Sequence, residues 1–464
     1  MSTLAERIRG VLQGTPGSHR ATTPEPARDP IAGGSNLQLE IGDPPTAISH
    51  LPPAGGSSSG GIDLANLEAV LGGESRQLGG ATCFVVDGRR APASPHGHTT
   101  VGVLARRLRE AADDLPLLTG FPVCAPLLFF DLETTGLSGG AGTYAFLVGC
   151  GWFDNDDAFV TRQFMLVRLA EERSLLTSVA AELSRAGALV SFNGKSFDRP
   201  LIETRYLYHR LAWTGATLPH LDMLHVARRF WKRGDDAPAA AAWDVAGESG
   251  CSLGALERQL LGHRRHGDVP GFEIPQRYFQ FIRTGDARPL GPVFEHNRLD
   301  LLTLAALTAR VLRLVKDGEE HTSAPREALA LGHVYAKAGL AVRARGAYLR
   351  AAAIADASSM TLVKVDALRA LAVAARRSGA HEEAASYWRQ LLDVRGCPSS
   401  IARQAREALA IHYEHRVIDL PAAKAFALGL RDAPGPGDSV RHRIARIERK
   451  IQSRHLRESS LSFI

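Results

Sequence analysis

What the 464-residue chain lacks narrows its class first. No apolar run approaches the roughly 18 residues of a membrane-spanning helix, which argues against a membrane protein. The opening M-S-T-L-A-E-R-I-R-G-V-L-Q-G has no signal-peptide core and reads as a short amphipathic helix. Cysteine is scarce: Cys83, Cys124, Cys150, Cys251 and Cys397 are odd in number, scattered, and without a C-x-x-C pair. That excludes a disulfide framework or zinc ribbon as the organising principle and suits a reducing cytoplasm. Charge of one sign is only mildly in excess, at +6 net and a pI near 9.2. Such a balance is compatible with a polyanionic partner without demanding one. The sequence therefore predicts a cytoplasmic protein with two or three domains and no membrane association.

Residues 1–62 hold a Pro/Gly/Ser-rich arm that ends in P-P-A-G-G-S-S-S-G-G and reads as disordered. A lead-in segment (63–123) follows, with a helix signal, a strand-like C-F-V-V at 83–86 and a second helix. From 124 to 318 the pattern is α/β. Apolar strands at 127–131, 143–153 and 158–166 are separated by turn residues, Gly139 with Gly140 and then D-N-D-D, which predicts an antiparallel meander. A helix at 171–185, stopped by Gly187, leads to a strand at 188–192 and further helices from Asp198, Asp222, Ser252, Pro275 and Leu290. Residues 234–250 read as a low-complexity loop.

Beyond 324 the texture becomes Ala-rich and helical. Gly339 maps onto Gly379 and Tyr348 onto Trp388, both 40 apart, and a third copy starts at Ala408. These resemble degenerate tetratricopeptide-type pairs over 324–430, although the usual period is ~34. A basic stretch at 438–464 carries a narrow stripe of Val440, Ile444, Ile447 and Ile451. It reads as a capping helix ahead of a nucleic-acid contact.

The chemistry begins at L-L-F-F-D-L-E-T-T-G-L (127–137), where an apolar strand runs into Asp131 and Glu133. Residues two apart on a strand share a face, so the acids sit side by side and repel. A hard divalent cation relieves that repulsion. The D-x-E pattern alone is common, but here it is followed by F-N-G-K-S-F-D, with Asn193 and Asp198, and by H-N-R-L-D, with His296 and Asp300 four apart on one helical face.

Taken in this order, the three motifs resemble the DEDD exonuclease superfamily, which has the ribonuclease H-like fold. G-L-S-G-G-A-G-T-Y-A-F-L-V-G, C-S-L-G-A-L-E-R-Q-L-L-G and D-V-P-G make the match closer to its bacterial YprB-type branch. The resemblance covers roughly residues 63 to 430. It implies two-metal phosphodiester hydrolysis, with two Mg²⁺ or Mn²⁺ ions about 3.5–4 Å apart. It further implies that Asp131 bridges both ions, Glu133 and Asp300 hold one, and Asp198 positions the other largely through water. His296 would be the general base, Thr134 and Thr135 would hold the terminal nucleotide, and Asn193, Lys195 and Asn297 would also contact the nucleic acid. The family's His form sets the base five residues before the Asp, and its Tyr form four. Here a His stands at the Tyr spacing, with Asn297 beside it to share its role.

Plain readings stand next to these. Glu133 is otherwise a surface acid, Asp198 an N-cap, and His296 a residue packed or solvated on its helix. Lys195 either meets a phosphate or is solvated. Asp222 reads as a helix cap ahead of a supporting acid, and the basic run at 261–267 tracks a phosphate backbone or is a solvated loop. The expectation is a ribonuclease H-like α/β domain with a mixed sheet, followed by an all-α helical-repeat domain. As an enzyme it would be a metal-dependent 3′→5′ exonuclease on single-stranded DNA or RNA, with a protein partner for the repeats. The rival expectation is a poorly cutting nucleic-acid adaptor or an interaction protein built on those repeats.

Overall fold

The computed structural model describes residues 62–136, 142–232, 251–430 and 437–461. The amphipathic start, all but the last residue of the arm, the turn at Gly139 and Gly140, and the loop at 234–250 lie outside the described residues.

Helix α1 (Leu64–Leu71) starts where the Asp63 side chain accepts from the Ala65 N–H, and it leads into strands β1 (Glu74–Leu78) and β2 (Ala81–Arg90). A two-strand hairpin, β3 (Pro95–His96) and β4 (Thr99–Thr100), precedes α2 (Val101–Glu110) and α3 (Leu115–Thr119). Next come β5 (Leu127–Thr134), β6 (Ala145–Phe153), β7 (Phe159–Met165), α4 (Glu172–Leu183), β8 (Ala188–Ser191) and α5 (Asp198–Tyr208). The α/β region closes with β9 (His220–Asp222), α6 (Met223–Trp231), α7 (Leu253–Leu256), α8 (Ile274–Thr284) and the long α9 (Gly291–Asp317).

Seven strands form one mixed sheet in the order β1-β2-β7-β6-β5-β8-β9. The expected meander is there: β5, β6 and β7 pair antiparallel, while β8 and β9 run parallel to β5. One expected boundary is corrected. The segment 63–123 is not a separate lead-in, because β2 pairs with β7 from Phe84–Met165 to Arg90–Phe159. Hydrophobic alternation marks a strand but not its partner, and this partner lies 69 to 81 residues away.

Alternation along β5 divides the interior. Leu128, Phe130 and Leu132 enter a core with α4 and α8, whereas Phe129 enters the core on the opposite face with α9 and the helices beyond it. Helix α9 lies across β5, β6 and β7.

Beyond α9 the chain is helical: α10 (Pro325–Lys337), α11 (Ala341–Ala357), α12 (Thr361–Arg377), α13 (His381–Leu392), α14 (Ser399–His412), α15 (Leu420–Leu428) and α16 (Gly437–Leu461). Their buried Tyr335, Tyr348, Leu371 and Trp388 share the α9 core, so this region continues the α/β interior. The 40-residue spacing falls on equivalent turns, with Gly339 and Gly379 both left-handed (φ 74° and 83°). The corresponding turn between α14 and α15 lacks the glycine, and Ile418 takes the left-handed conformation there (φ 62°). Among the described residues no helix is long and apolar enough to cross a membrane.

The stripe on α16 does pack: Ile447 is fully buried, with Ile444 and Ile451 beside it, against Ala410, Leu420, Ala423 and Ala427. The helix is also pinned by charge. Glu414 accepts from Arg446 at 2.9 and 2.8 Å and from Lys450 at 2.8 Å. Burial alone would raise the Glu414 pKa, but the bonds from Arg446 and Lys450 and the charges of Arg446 and His415 hold it at about 2. A carboxyl depressed on folding stabilises above its unfolded pKa, near 4.5, and that contribution drains away as pH falls towards 2. Amide exchange of 437–461 should therefore accelerate between pH 4.5 and 2 while α9 stays protected. Equal loss of protection in both helices would refute the ion-pair anchor.

Candidate active site

The end of β5 carries the acids because its odd-numbered residues face α9. Asp131 and Glu133 thus emerge together, followed by a bulge between Glu133 and Thr134. The threonines close the turn that follows. Thr134 Oγ1 donates to the Gly136 carbonyl at 2.9 Å, and Thr135 Oγ1 accepts from the Tyr144 N–H at 2.9 Å.

Across the sheet Asp131 stands opposite Gly149, and Gly149 opposite Gln163. The missing side chain in the middle of that row leaves a hole, and Asn297 of α9 fills it. Its Nδ2 donates to Asp131 Oδ2 at 2.8 Å, and its Oδ1 accepts from Gln163 Nε2 at 2.9 Å. A Cβ on Gly149 would lie 2.1 Å from Asn297 Oδ1. This gives Asn297 a place in the packing beneath Asp131. It is fully buried, with its amide bonded to Asp131 and Gln163 and facing away from solvent.

Asp198 reaches the same region from the loop after β8. It is the first residue of α5, the residue before it makes no side-chain cap bond, and its Oδ2 lies 3.0 Å from where a Cβ on Gly194 would sit. The cap role belongs to Asp222. Its carboxylate accepts from the Leu224 N–H of α6 at 3.0 Å and from the Asn193 and Lys195 N–H groups at 2.8 and 3.1 Å. One buried acid thereby caps a helix and holds the F-N-G-K loop, in which Asn193 is left-handed (φ 65°). Lys195 is exposed and lines a cavity of about 380 Å³ with Arg199 and His220.

Helix α9 presents His296 and Asp300. His296 Nδ1 pairs with Asp268 Oδ1 at 2.7 Å, and its Nε2 lies 3.5 Å from Asp300 Oδ2. Asp300 Oδ1 accepts from Arg265 Nη2 at 2.5 Å, and Arg265 also binds Asp268 at 3.2 Å and Glu257 at 2.7 Å. The basic run at 261–267 is therefore not a simple solvated loop or phosphate track, since the Arg265 side chain is only 8% exposed and serves three acids.

The four carboxylates keep some open surface, yet desolvation leads the shifts of Asp131, Glu133 and Asp198. Burial holds the Asp131 carboxyl well above the usual range, and the charges of Asp300, Glu133 and Asp198 add to it. Burial likewise pushes Glu133 to about 8, against the opposing charge of His296, and Asp198 to about 7, helped by Asp222. For His296, burial favours the neutral ring, but the bond to Asp268 and the charges of Asp300 and Glu133 outweigh it and raise the ring to about 9. The carboxylates thus disfavour one another's ionisation, with His296 and Arg265 as partial counter-ions.

Sequence reasoning missed Arg265, Asp268 and Phe197. Arg265 and Asp268 sit in an apparently solvated run and in D-V-P-G, and only the fold brings them to α9. Phe197 is 55% exposed immediately before Asp198, and a large exposed aromatic next to an acid has no local sequence mark. Among the described residues, the one group of three His, Cys, Asp or Glu whose ligand atoms all lie within 4.8 Å of one another is His96, Glu257 and His263.

The chain is 37% identical over 204 residues to the uncharacterized protein YprB of Bacillus subtilis (strain 168). That match covers 43% of this chain and 45% of the relative, so the chain spans less than half the length of the protein it resembles. Residues 128–312 match the RNase_H superfamily. That stretch runs from the second residue of β5 into α9 and contains Asp131, Glu133, Asp198, His296 and Asp300. Residues 128–312 are thus an RNase_H superfamily domain, built on a mixed sheet and followed by a helical C-terminal region.

Proposed function

We propose that this chain is a metal-dependent nuclease that hydrolyses phosphodiester bonds of single-stranded nucleic acid as a 3′→5′ exonuclease. The observation that carries the reading is the gathering of Asp131 with Asp300, Glu133 and Asp198, where burial and mutual repulsion disfavour its ionised form, in a domain whose superfamily supports nucleic-acid hydrolysis. A cluster of carboxylates that burial and mutual repulsion hold above their usual range fits hard divalent cations, Mg²⁺ or Mn²⁺. Asp131, Glu133, Asp198 and Asp300 would hold the ions. Bound there, the ions supply Lewis-acid charge and a nucleophilic water.

The protein's own groups do the rest. Asn297 fixes the rotamer of Asp131. Asp268 takes Nδ1 of His296, which leaves Nε2 facing Asp300. His296 can act as a base only once the carboxylate charge that keeps it protonated is offset. Phe197 offers a stacking face for a base, a sequence-tolerant contact that suits single strands. Lys195, with Arg199, supplies positive charge for a phosphate, and Thr134 and Thr135 shape the turn beside the terminal nucleotide.

A second reading, a nucleic-acid-binding adaptor that cuts poorly and recruits a protein through its helices, is favoured by Arg265, which already neutralises Asp300. One experiment separates the two. Single-stranded DNA and RNA, 5′-labelled, are incubated with the protein and Mg²⁺ or Mn²⁺, with EDTA as control. A metal-dependent ladder shortening from the 3′ end is expected and names the sugar. Binding without cleavage under every condition selects the adaptor, and single internal cuts make the enzyme an endonuclease.

A further inference from the structure

We propose that His96, Glu257 and His263 form a second metal site, for Zn²⁺ or a similar borderline ion, distinct from the carboxylate cluster. The proposal does not rest on the nuclease reading.

The site is assembled by a close contact between two segments far apart in sequence. The hairpin β3–β4 presses on the turn that ends at Leu261, where the His98 N–H donates to the Leu261 carbonyl at 2.8 Å. No side chain fits between them: a Cβ on Gly97 would lie 1.8 Å from the Leu261 oxygen, and one on Gly262 would lie 2.1 Å from His98 Nε2. That contact sets His96 against Glu257 and His263. The His96 and His263 ring centroids are 4.5 Å apart, and His96 Nε2 is 3.9 Å from Glu257 Oε1. A tetrahedral ion with bonds of about 2.0–2.1 Å spaces its ligands by roughly 3.4 Å. Small rotamer adjustments therefore close this set around an ion.

Two further observations favour a ligand over an ordinary buried histidine. His96 is 1% exposed, and the hydrogen bond at its Nε2 is a long one, 3.4 Å to Thr303 Oγ1. Thr303 donates its hydroxyl proton to Glu257, so at 3.4 Å the ring can only donate weakly to the Thr303 oxygen, and the other tautomer frees the Nε2 lone pair for an ion. Glu257 in turn has its Oε2 held by Arg265 at 2.7 Å, the outer bond that orients a ligating carboxylate. Two imidazoles and a carboxylate are a zinc-type donor set, and His263, which is partly exposed, leaves the fourth position open to water.

The consequence reaches the active site. The loop from Glu257 to Asp268 carries Arg265, bound to Asp300, and Asp268, bound to His296. Thr303 lies three residues beyond Asp300 on α9. An ion at His96, Glu257 and His263 would tie the hairpin, that loop and α9 together and hold the partners of His296 and Asp300 in place.

The test uses the full-length chain, stripped with a chelator and kept in excess Mg²⁺ to fill the carboxylates, titrated with Co²⁺. The expected result is one equivalent of Co²⁺ with the intense visible absorption of a four-coordinate site, bleached by Zn²⁺. Binding should weaken at least tenfold in His263→Ala, a partly exposed position whose folding is checked by circular dichroism, and persist in Asp131→Asn. Absence of the band overturns the proposal. So does its retention in His263→Ala, or its loss in Asp131→Asn, which would place the cobalt among the carboxylates.

Discussion

The Asp131→Asn variant is expected to lose metal-dependent cleavage and, without metal, to melt at a higher temperature than wild type. Both effects come from one charge. Asp131 lies among Asp300, Glu133 and Asp198, and burial holds its carboxyl well above the usual range. An amide of nearly the same shape removes that repulsion and can still accept from Asn297 Nδ2 at the position of Oδ2. A gain of about 1–2 kcal/mol is the usual return when a strained functional group is neutralised, and in a protein of this size it raises Tm by a few degrees. Cleavage should fall at least ~10³-fold, because several kcal/mol of transition-state stabilisation depend on the metal. Calorimetry supplies a second readout: Mn²⁺ should raise the wild-type Tm in proportion to its logarithmic concentration, and that response should shrink in the variant. Cleavage within tenfold of wild type would remove Asp131 from the chemistry.

Gly149→Ala is the second large effect. Its methyl group would lie 2.1 Å from Asn297 Oδ1 and 2.8 Å from Asn297 Cγ. Asn297 cannot swing aside, being fully buried and bonded to Gln163 and Asp131. Overpacking of this kind costs about 1–3 kcal/mol. The displaced asparagine also releases Asp131, and a shift of about 1 Å at a reacting centre costs ~10²-fold in rate. Gly291→Ala, where an added Cβ meets nothing within 4 Å, serves as the neutral control. The double variant Gly149→Ala/Asn297→Ala removes the atoms that clash, so it should recover much of the stability but not the activity. Recovery of both would show that Asn297 only packs.

Much of this site was legible in the sequence because its signals are periodic and local. Period two on a strand places Asp131 and Glu133 on one face, and the 3.6-residue helical period places His296 and Asp300 together. The apolar runs mark β5, β6 and β7, and the D-N-D-D turn marks their hairpin. Asp222 is readable as a cap from its place before Met223, though the Asn193 and Lys195 amides it also holds are not. The helical texture beyond 324 is likewise visible in composition and spacing.

What only the tertiary structure decided depends on distant pairing. The strands of 63–123 belong to the sheet because β2 meets β7, and no local pattern names a partner. The place of Asn297 is not readable until the hole over Gly149 shows where its amide goes. Arg265 has the sequence texture of a solvated cation, yet it is buried between Glu257 and Asp300. His96 and His263 carry no motif, being more than 160 residues apart, and two glycines bring their segments into contact. The sequence by itself determined the periodic faces that carry the acids. The folded chain decided their counter-ions and supports, because a charge or hydrogen-bond partner is chosen by proximity in space, which residue order does not encode.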